Sequence, residues 1–156
     1  MLKSQMTKIP LDQIKELRDI TGISVSECKK ALEESAGDIE KAKEFLRKRG
    51  EEIAEKKQAR EVGEGLVETY THTNGKLGVL VDIRCETDFV ARSGDFKTLC
   101  HEIALQVASM DPATIEELIG QPFVKDPSRT IQNIVQDCIA KLGENIVVKR
   151  FSRFEI

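Results

Sequence analysis

The chain has 156 residues, 40% of them hydrophobic and 33% charged, and its net charge at pH 7 is −3. This composition indicates a folded globular protein of one medium or two small domains, and it argues against disorder. Acidic and basic residues alternate along most of the chain, so neither a general phosphate-binding surface nor direct binding of nucleic acid is expected.

The first fifty residues predict a bundle of short helices. An apolar stripe from Leu11 to Ile20 forms the first helix, which ends at Gly22. Ser24 and Glu27 occupy the N-cap and N3 positions of a capping box that opens the second helix. The residues of the second helix that are expected to face inward are Val25, Cys28, Ala31 and Leu32.

A third helix follows at once. Gly37 stops the second helix, Asp38 can cap the third, and Gly50 is expected to end it. Three helices joined by short turns are typical of a bundle of the ubiquitin-associated-domain type. So small a core is marginal by itself, and residues 1–50 are therefore predicted to serve as a docking module.

Residues 51–62, EEIAEKKQAREV, are charged and strongly helix-favouring. We interpret them as a solvated helical connector between two domains. A nucleic-acid-binding arm is the alternative, and the interleaved glutamates argue against it.

From residue 63 the apolar residues follow the period of strands. The segments GLVETYTH and KLGVLVDIRC flank Thr73-Asn74-Gly75, and Asn-Gly is a strong hairpin signal. Alternate residues of the second strand are expected to share one face of the sheet: Leu77, Val79, Val81, Ile83 and Cys85. The opposite face takes Gly78, Leu80, Asp82 and Arg84.

Two helices are predicted next. Apolar residues recur at helical spacing from Phe96 to Ala108, which predicts a core-facing helix ending at Asp111. Thr114 then caps a short helix that is closed by Gly120.

The C-terminal part predicts a loop, a helix and a strand. The segment QPFVKDPS is interpreted as a loop, and an apolar stripe over residues 131–142 predicts a helix. The tail ENIVVKRFSRFEI is strand-like, and a bulge near Ser152 is expected because Phe151 and Phe154 cannot share one face of a regular strand. Residues 63–156 are thus predicted to be an α+β core domain with a three-stranded antiparallel sheet. Helices can cover one face of that sheet, and the other face, or an edge, is left for a partner.

The cysteines and the N-terminus indicate the cellular compartment of the protein. The four cysteines are widely spaced and include no C-x-x-C pair, so a reducing cytoplasm is favoured over a disulfide framework. A zinc site would have to combine scattered residues such as His72 and His101, and it is less expected still. No apolar stretch approaches the roughly 20 residues of a membrane span, and the N-terminus contains no apolar signal core. We therefore predict a cytoplasmic protein without a membrane segment.

The stretch CETDFVARS stands between a predicted strand and a predicted helix, where catalytic residues are often found. Glu86 and Asp88 could form a carboxylate pair, which would suggest an acid-dependent hydrolase or a metal enzyme. Asp88 could equally cap a helix, and a loop Phe such as Phe89 is most often packed into a core. The sequence has no P-loop, no G-x-G-x-x-G and no nucleophile elbow.

The same stretch resembles a family signature. ETDFVAR within GVLVDIRCETDFVARSGDF is similar to the signature of the elongation factor Ts family. Further similar motifs stand in the same order along the chain: LRDITG, CKKALEES, LRKRG, QPFVKD and LGENIVVKRFSRFE. The resemblance implies a guanine-nucleotide exchange factor for the GTPase elongation factor Tu, a binding protein rather than an enzyme, with neither cofactor nor metal. An RNA-binding translation protein is the further alternative, against which the net charge argues.

The resemblance also implies a mechanism. The Phe of the motif, here Phe89, is inserted between helices of the partner beside its magnesium and phosphate sites, and Asp88 helps to hold that contact. Thr87 and Val90 shape the loop. Displacing the partner's helices disturbs the magnesium site, so GDP leaves faster.

This chain departs from the family pattern in two places. Val25 and Ser26, which start the second helix and are a weaker docking candidate, stand where the family usually has two Met residues. The segment before Gln121 is shorter than usual, as in the compact form of the family with a single core module. In that form two chains are expected to pair through the core sheet and to assemble with two copies of elongation factor Tu.

Overall fold

The computed structural model of the protein describes residues 8–156. Residues 1–7 lie outside the described residues. They are part of the predicted bundle, and the expectation that the N-terminus contains no signal core also concerns them. The first three helices are α1 (Leu11–Thr21), α2 (Val25–Glu34) and α3 (Ile39–Lys57). They enclose a core of their own, formed by Ile14, Leu17, Cys28, Ala31, Leu32, Ala42 and Leu46. The predicted three-helix bundle is confirmed, and its likeness to ubiquitin-associated domains stays a prediction.

The remaining elements form an α+β unit, as predicted. The strands of its sheet are β1 (Glu64–Thr71), β2 (Leu77–Cys85) and β5 (Val147–Glu155). Between β2 and β5 lie the helices α4 (Asp88–Ala91), α5 (Gly94–Met110), α6 (Ile115–Gly120) and α7 (Ile131–Leu142). Two short strands, β3 (Pro122–Phe123) and β4 (Asp126–Thr130), stand between α6 and α7. Within residues 8–156, no helix has the length and apolar character needed to cross a membrane.

The main sheet is antiparallel with the order β1-β2-β5. The side chains of β2 that were expected to share a face do so: Val79, Val81, Ile83 and Cys85 are buried, and Leu77 packs against them. Helix α5 packs across this inner face, and α7 packs against α5 and α3. The outer face of the sheet is not covered by helices of the described chain.

The bulge expected near Ser152 lies elsewhere on β5. Asp82 pairs with Arg150 and Ile83 pairs with Val148, so the extra residue is Lys149. Val148 and Phe151 are three positions apart, so they would lie on opposite faces of a regular strand. The extra residue between them lets both pack against the core. The expected position was therefore wrong by three residues.

Local signals predicted most helix ends correctly. Gly22 adopts a left-handed conformation (φ 67°) and its N–H donates to the carbonyl oxygen of Arg18. The side chain of Ser24 accepts a hydrogen bond from the N–H of Glu27, which confirms the N-cap of α2.

The prediction that Val25 faces inward is wrong: its side chain is 49% exposed, because the first residue of α2 extends beyond the buried core.

Helix α3 does not end at Gly50, and this prediction is also wrong. Gly50 is buried in the middle of α3, and a Cβ built there would lie 3.4 Å from the Cβ of Ala140 on α7. Gly50 thus lies at a close contact between two helices and ends neither of them, and the contact leaves room for a methyl group. One turn later, Ala54 is buried in the core of the α+β unit, so the predicted connector is not solvated on every face.

The segment QPFVKDPS, interpreted as a loop, forms the β3–β4 hairpin instead. Its support is the buried side chain of Gln106 on α5. The side-chain amide of Gln106 donates to the carbonyl oxygen of Pro122 (3.0 Å) and accepts from the N–H of Val124 (3.0 Å). These bonds hold a short hairpin that local propensity does not indicate.

Asp82 is a buried carboxylate on the outer face of the sheet. Arg84 donates to it from Nε (2.5 Å) and Nη2 (3.1 Å), and Arg150 donates from Nε (3.1 Å). These hydrogen bonds, foremost those from Arg84, hold the pKa of Asp82 below its ordinary value of 3.8 against the opposing effect of burial. The ionised form of Asp82 therefore contributes to the stability of the sheet.

Replacing Gly50 tests the packing of α3 on α7. Gly50→Ala should raise the free energy of unfolding by about 0.5–1 kcal/mol, because alanine favours helix and its methyl group meets only ordinary contacts. Gly50→Leu should lower it by about 1–3 kcal/mol through overpacking against Ala140. Urea unfolding measures both values. A Gly50→Ala protein less stable than the wild type would show that the contact with α7 has no room for a methyl group.

Replacing Asp82 tests its ion pairs with Arg84 and Arg150 through the pH dependence of stability. Asp82→Asn should lower the free energy of unfolding at pH 7 by about 1–2 kcal/mol. Folding lowers the pKa of Asp82, so its stabilisation is present above the unfolded-state value of 3.8 and is lost as the pH falls through the folded-state value. The difference between the two proteins should therefore shrink below pH 3.8. A difference that stays constant down to pH 2 would show that ionisation of Asp82 does not matter.

Candidate partner-binding site

The loop after β2 is built around a very short helix. Helix α4 has four residues, and its N-cap is Thr87, whose Oγ1 accepts from the N–H of Val90 (3.3 Å). Ser93 follows as the N-cap of α5, and its hydroxyl donates to the carbonyl oxygen of Val90 (2.8 Å). The chain thus turns from strand to helix within eight residues, and hydrogen bonds fix both ends of the turn.

Phe89 points away from the protein. Its side chain is 85% exposed, whereas the next two residues, Val90 and Ala91, are buried in the core. The core-packed alternative for Phe89 is therefore wrong. Val90 anchors α4 in the core, and its loop-shaping role in partner binding stays a prediction.

A residue distant in sequence holds the start of the loop. The Oε1 atom of Glu144 accepts from the N–H groups of Glu86 (3.1 Å) and Thr87 (2.9 Å), and its Oε2 atom accepts from the hydroxyl of Thr87 (2.7 Å). Glu144 stands just before β5, in the turn that follows α7. Glu144 belongs to the segment LGENIVVKRFSRFE, whose strand-like pattern predicts no role for this glutamate.

The thiol of Cys85 supports the same turn. It donates to the carbonyl oxygen of Thr87 over 3.2 Å. Burial, with a further contribution from the nearby Glu144 carboxylate, raises the pKa of Cys85 to about 11, so the thiol keeps its proton at neutral pH. All four cysteines of the chain are free and buried.

The two acidic residues of the motif have separate partners. Glu86 accepts from the N–H of Asn145 (2.8 Å) and lies 3.6 Å from Arg60. Asp88 is exposed and pairs with Arg92, one turn later. Each carboxylate thus faces its own cation. Among residues 8–156, no three His, Cys, Asp or Glu side chains are grouped so that they could hold a metal ion.

The predicted site residues fall into two sets. Thr87, Asp88, Phe89 and Val90 lie in one turn at the end of β2, whereas Val25 and Ser26 start α2 in the bundle. No hydrogen bond described for residues 8–156 joins the two sets. Val25 is half exposed, and the hydroxyl of Ser26 lies 3.2 Å from that of Ser24.

The chain is similar in sequence to known proteins of one family. The family model described as elongation factor TS matches residues 86–156, which include the loop and everything after it. An elongation factor Ts of Coprothermobacter proteolyticus is 42% identical, over 96% of this chain and 98% of its own length. The elongation factor Ts of Thermotoga neapolitana is 40% identical, over 96% of this chain and 98% of its own length.

This chain belongs to the elongation factor Ts family. The alignment with the Coprothermobacter proteolyticus protein spans 194 positions, more than the 156 residues here, so that relative contains segments that this chain lacks. A longer relative from Nostoc sp. is 45% identical over 151 positions, which cover 97% of this chain and 48% of that protein. The shortness noted in the sequence therefore agrees with a compact version of the family.

Proposed function

We propose that this protein acts in the cytoplasm as a guanine-nucleotide exchange factor for elongation factor Tu in translation elongation. Membership of the elongation factor Ts family supports the partner. The observation that carries the proposal is the side chain of Phe89, an aromatic ring 85% exposed on a turn that is otherwise firmly held. An exposed aromatic side chain on a fixed backbone is suited to fill a pocket of a partner, and such residues often contribute most of the binding free energy.

The proposed mechanism needs no covalent chemistry. Phe89 enters between helices of the partner, and Asp88 stabilises that contact. In the free protein Asp88 is paired with Arg92 at the surface, and an exposed ion pair of this kind is worth at most about 1 kcal/mol. Its carboxylate can therefore change partners at little cost. Insertion of Phe89 displaces the partner's helices, weakens its magnesium and phosphate contacts, and so speeds the release of GDP.

A second contact is proposed at the N-terminal bundle, which docks on another face of the same partner domain. The exposed side chain of Val25 and the neighbouring Ser26 are the proposed contact residues. We place the division between this docking module and the α+β core at residues 51–62, within and just after the last two turns of α3. Two separated contacts let the factor bind firmly while Phe89 performs the displacement.

Replacing Phe89 tests the mechanism. Release of a fluorescent GDP analogue from elongation factor Tu should be accelerated by the wild type, and Phe89→Ala should lower the acceleration about thirtyfold, which corresponds to about 2 kcal/mol. Met110→Ala, which removes a partly exposed apolar side chain from the end of α5, is the matched control and should act as the wild type does. If Phe89→Ala were as active as the control, the displacement would have to come from another residue.

We also propose that two chains pair through the outer face of the core sheet. Val67, Leu80 and Phe154 are 64%, 48% and 76% exposed, and the strand register puts all three on that face. Uncovered apolar side chains on a three-stranded sheet favour a partner surface. A twofold arrangement would let the same patch meet itself, as in most symmetric dimers.

A charge in the centre of this face tests the dimer. Leu80→Arg should convert a dimer into a monomer, because two guanidinium groups would be brought together and desolvated across the interface. Sedimentation or light scattering over a range of micromolar concentrations measures the mass. Val124→Arg, which adds the same charge to an exposed position outside the sheet, should leave the dimer intact. A wild type with the mass of one chain would refute the proposed pairing.

A further inference from the structure

The turn between α7 and β5, residues 143–145, contacts two parts of the chain that are distant in sequence: the end of α3 with the residues just after it, and the start of the Phe89 loop. The carbonyl oxygen of Gly143 accepts from Nζ of Lys57 at the end of α3 (2.6 Å). The carboxylate of Glu144 accepts from the start of the Phe89 loop. The side-chain amide of Asn145 donates to the carbonyl oxygen of Arg60 (2.9 Å). The backbone that carries Glu144 is therefore itself fixed on both sides.

Glu144 controls the geometry of the loop through Thr87. Both carboxylate oxygens of Glu144 receive hydrogen bonds from Thr87, one from its N–H and one from its hydroxyl. The same hydroxyl oxygen caps α4 by accepting from Val90. The direction in which α4 leaves the strand, and with it the direction of Phe89, therefore depends on a side chain that does not touch Phe89.

Hydrogen bonds to a carboxylate are stronger than neutral ones, and three of them converge here on one half-buried group. Without Glu144, the N–H groups of Glu86 and Thr87 would lose these acceptors. Thr87 could then rotate, and α4 would be held only by its buried residues Val90 and Ala91. An exposed aromatic ring on a loop with several orientations binds less effectively, because binding must select and immobilise one of them.

We propose that Glu144 is a positioning residue for nucleotide exchange, which acts through Thr87 to hold Phe89 in the orientation that enters the partner. This inference rests on the exchange function proposed above. Glu144 needs no contact with the partner for this role. Its contribution is the fixed orientation of Phe89 before binding.

Two variants separate the positioning role from a general effect on folding. Glu144→Ala removes all three acceptor contacts. Glu144→Gln retains one oxygen for the N–H groups of Glu86 and Thr87, and its amide can donate to the hydroxyl of Thr87, which can accept in place of donating. Glu116→Ala, which removes an exposed carboxylate from α6, is the matched control.

The experiment measures release of a fluorescent GDP analogue from elongation factor Tu at saturating factor, with each variant in the wild-type and in the Phe89→Ala background. Glu144→Ala should lower the maximal acceleration on the order of tenfold, and Glu144→Gln should stay within about threefold of the wild type. In the Phe89→Ala background, Glu144→Ala should have a much smaller effect, because Phe89 carries most of the displacement and Asp88 is then the remaining contact residue that α4 orients.

Hydrogen exchange adds a readout that does not depend on the partner. The amides of Glu86 and Thr87 should exchange faster in Glu144→Ala than in Glu144→Gln or Glu116→Ala, while the amides of β2 stay protected. Equal losses from Glu144→Ala in both backgrounds, or full exchange activity of Glu144→Ala, would overturn the positioning role. Failure of the exchange function itself has a different signature, since the wild type would then not accelerate GDP release. A Phe89→Ala protein as active as the wild type would refute the role of Phe89 and leave the exchange function standing.

Discussion

The antiparallel pairing of β2 with β5 is the constraint on which the Phe89 loop depends. The last pair of this ladder joins Arg84 to Val147, so the residues just beyond it on each strand meet as neighbours. Glu144 and Thr87, 57 positions apart in the chain, are brought within 2.7 Å in this way. The pairing is in turn stabilised by burial of the inner face of β2 beneath α5. A core made of aliphatic side chains thus sets the position of one exposed aromatic ring.

The loop combines a rigid backbone with an apolar side chain in water. Large apolar side chains are usually buried in the core. Val90 is buried, whereas the neighbouring Phe89 is exposed. Exceptions of this kind are expected where a residue serves a partner instead of its own core. Burial of the ring in a partner would gain about 2–3 kcal/mol of hydrophobic free energy. Little of that gain is lost to ordering, because α4 is already capped and anchored.

Elements with strong local signals were predictable from sequence, and elements that depend on distant contacts were not. The periodic stripe of α5, the Asn-Gly hairpin and the cap at Ser24 each follow from residues a few positions apart. Gly50 predicts a helix end because glycine is the usual stop, whereas it lies inside α3, where α3 packs closely on Ala140 of α7. The β3–β4 hairpin likewise depends on a glutamine from α5. The motif residues of the site were recognisable, but nothing periodic marked Glu144, because its bonds join residues far apart in sequence.

In the proposed function, rigidity of the loop bears on exchange in particular, and not only on binding. A factor that weakens GDP binding is weakened by GDP to the same degree, since the coupling between two ligands is reciprocal. A factor that held both states of its partner equally well would release no nucleotide, however tightly it bound. A mobile Phe89 could turn aside and tolerate the GDP-bound state, which would reduce that difference. Glu144, Thr87 and the buried Val90 hold the backbone that carries the ring, so this backbone cannot move aside without breaking those contacts. In the proposed mechanism the partner must then adapt to the ring, and the hydrogen bonds of the loop become part of the free energy that separates the two states.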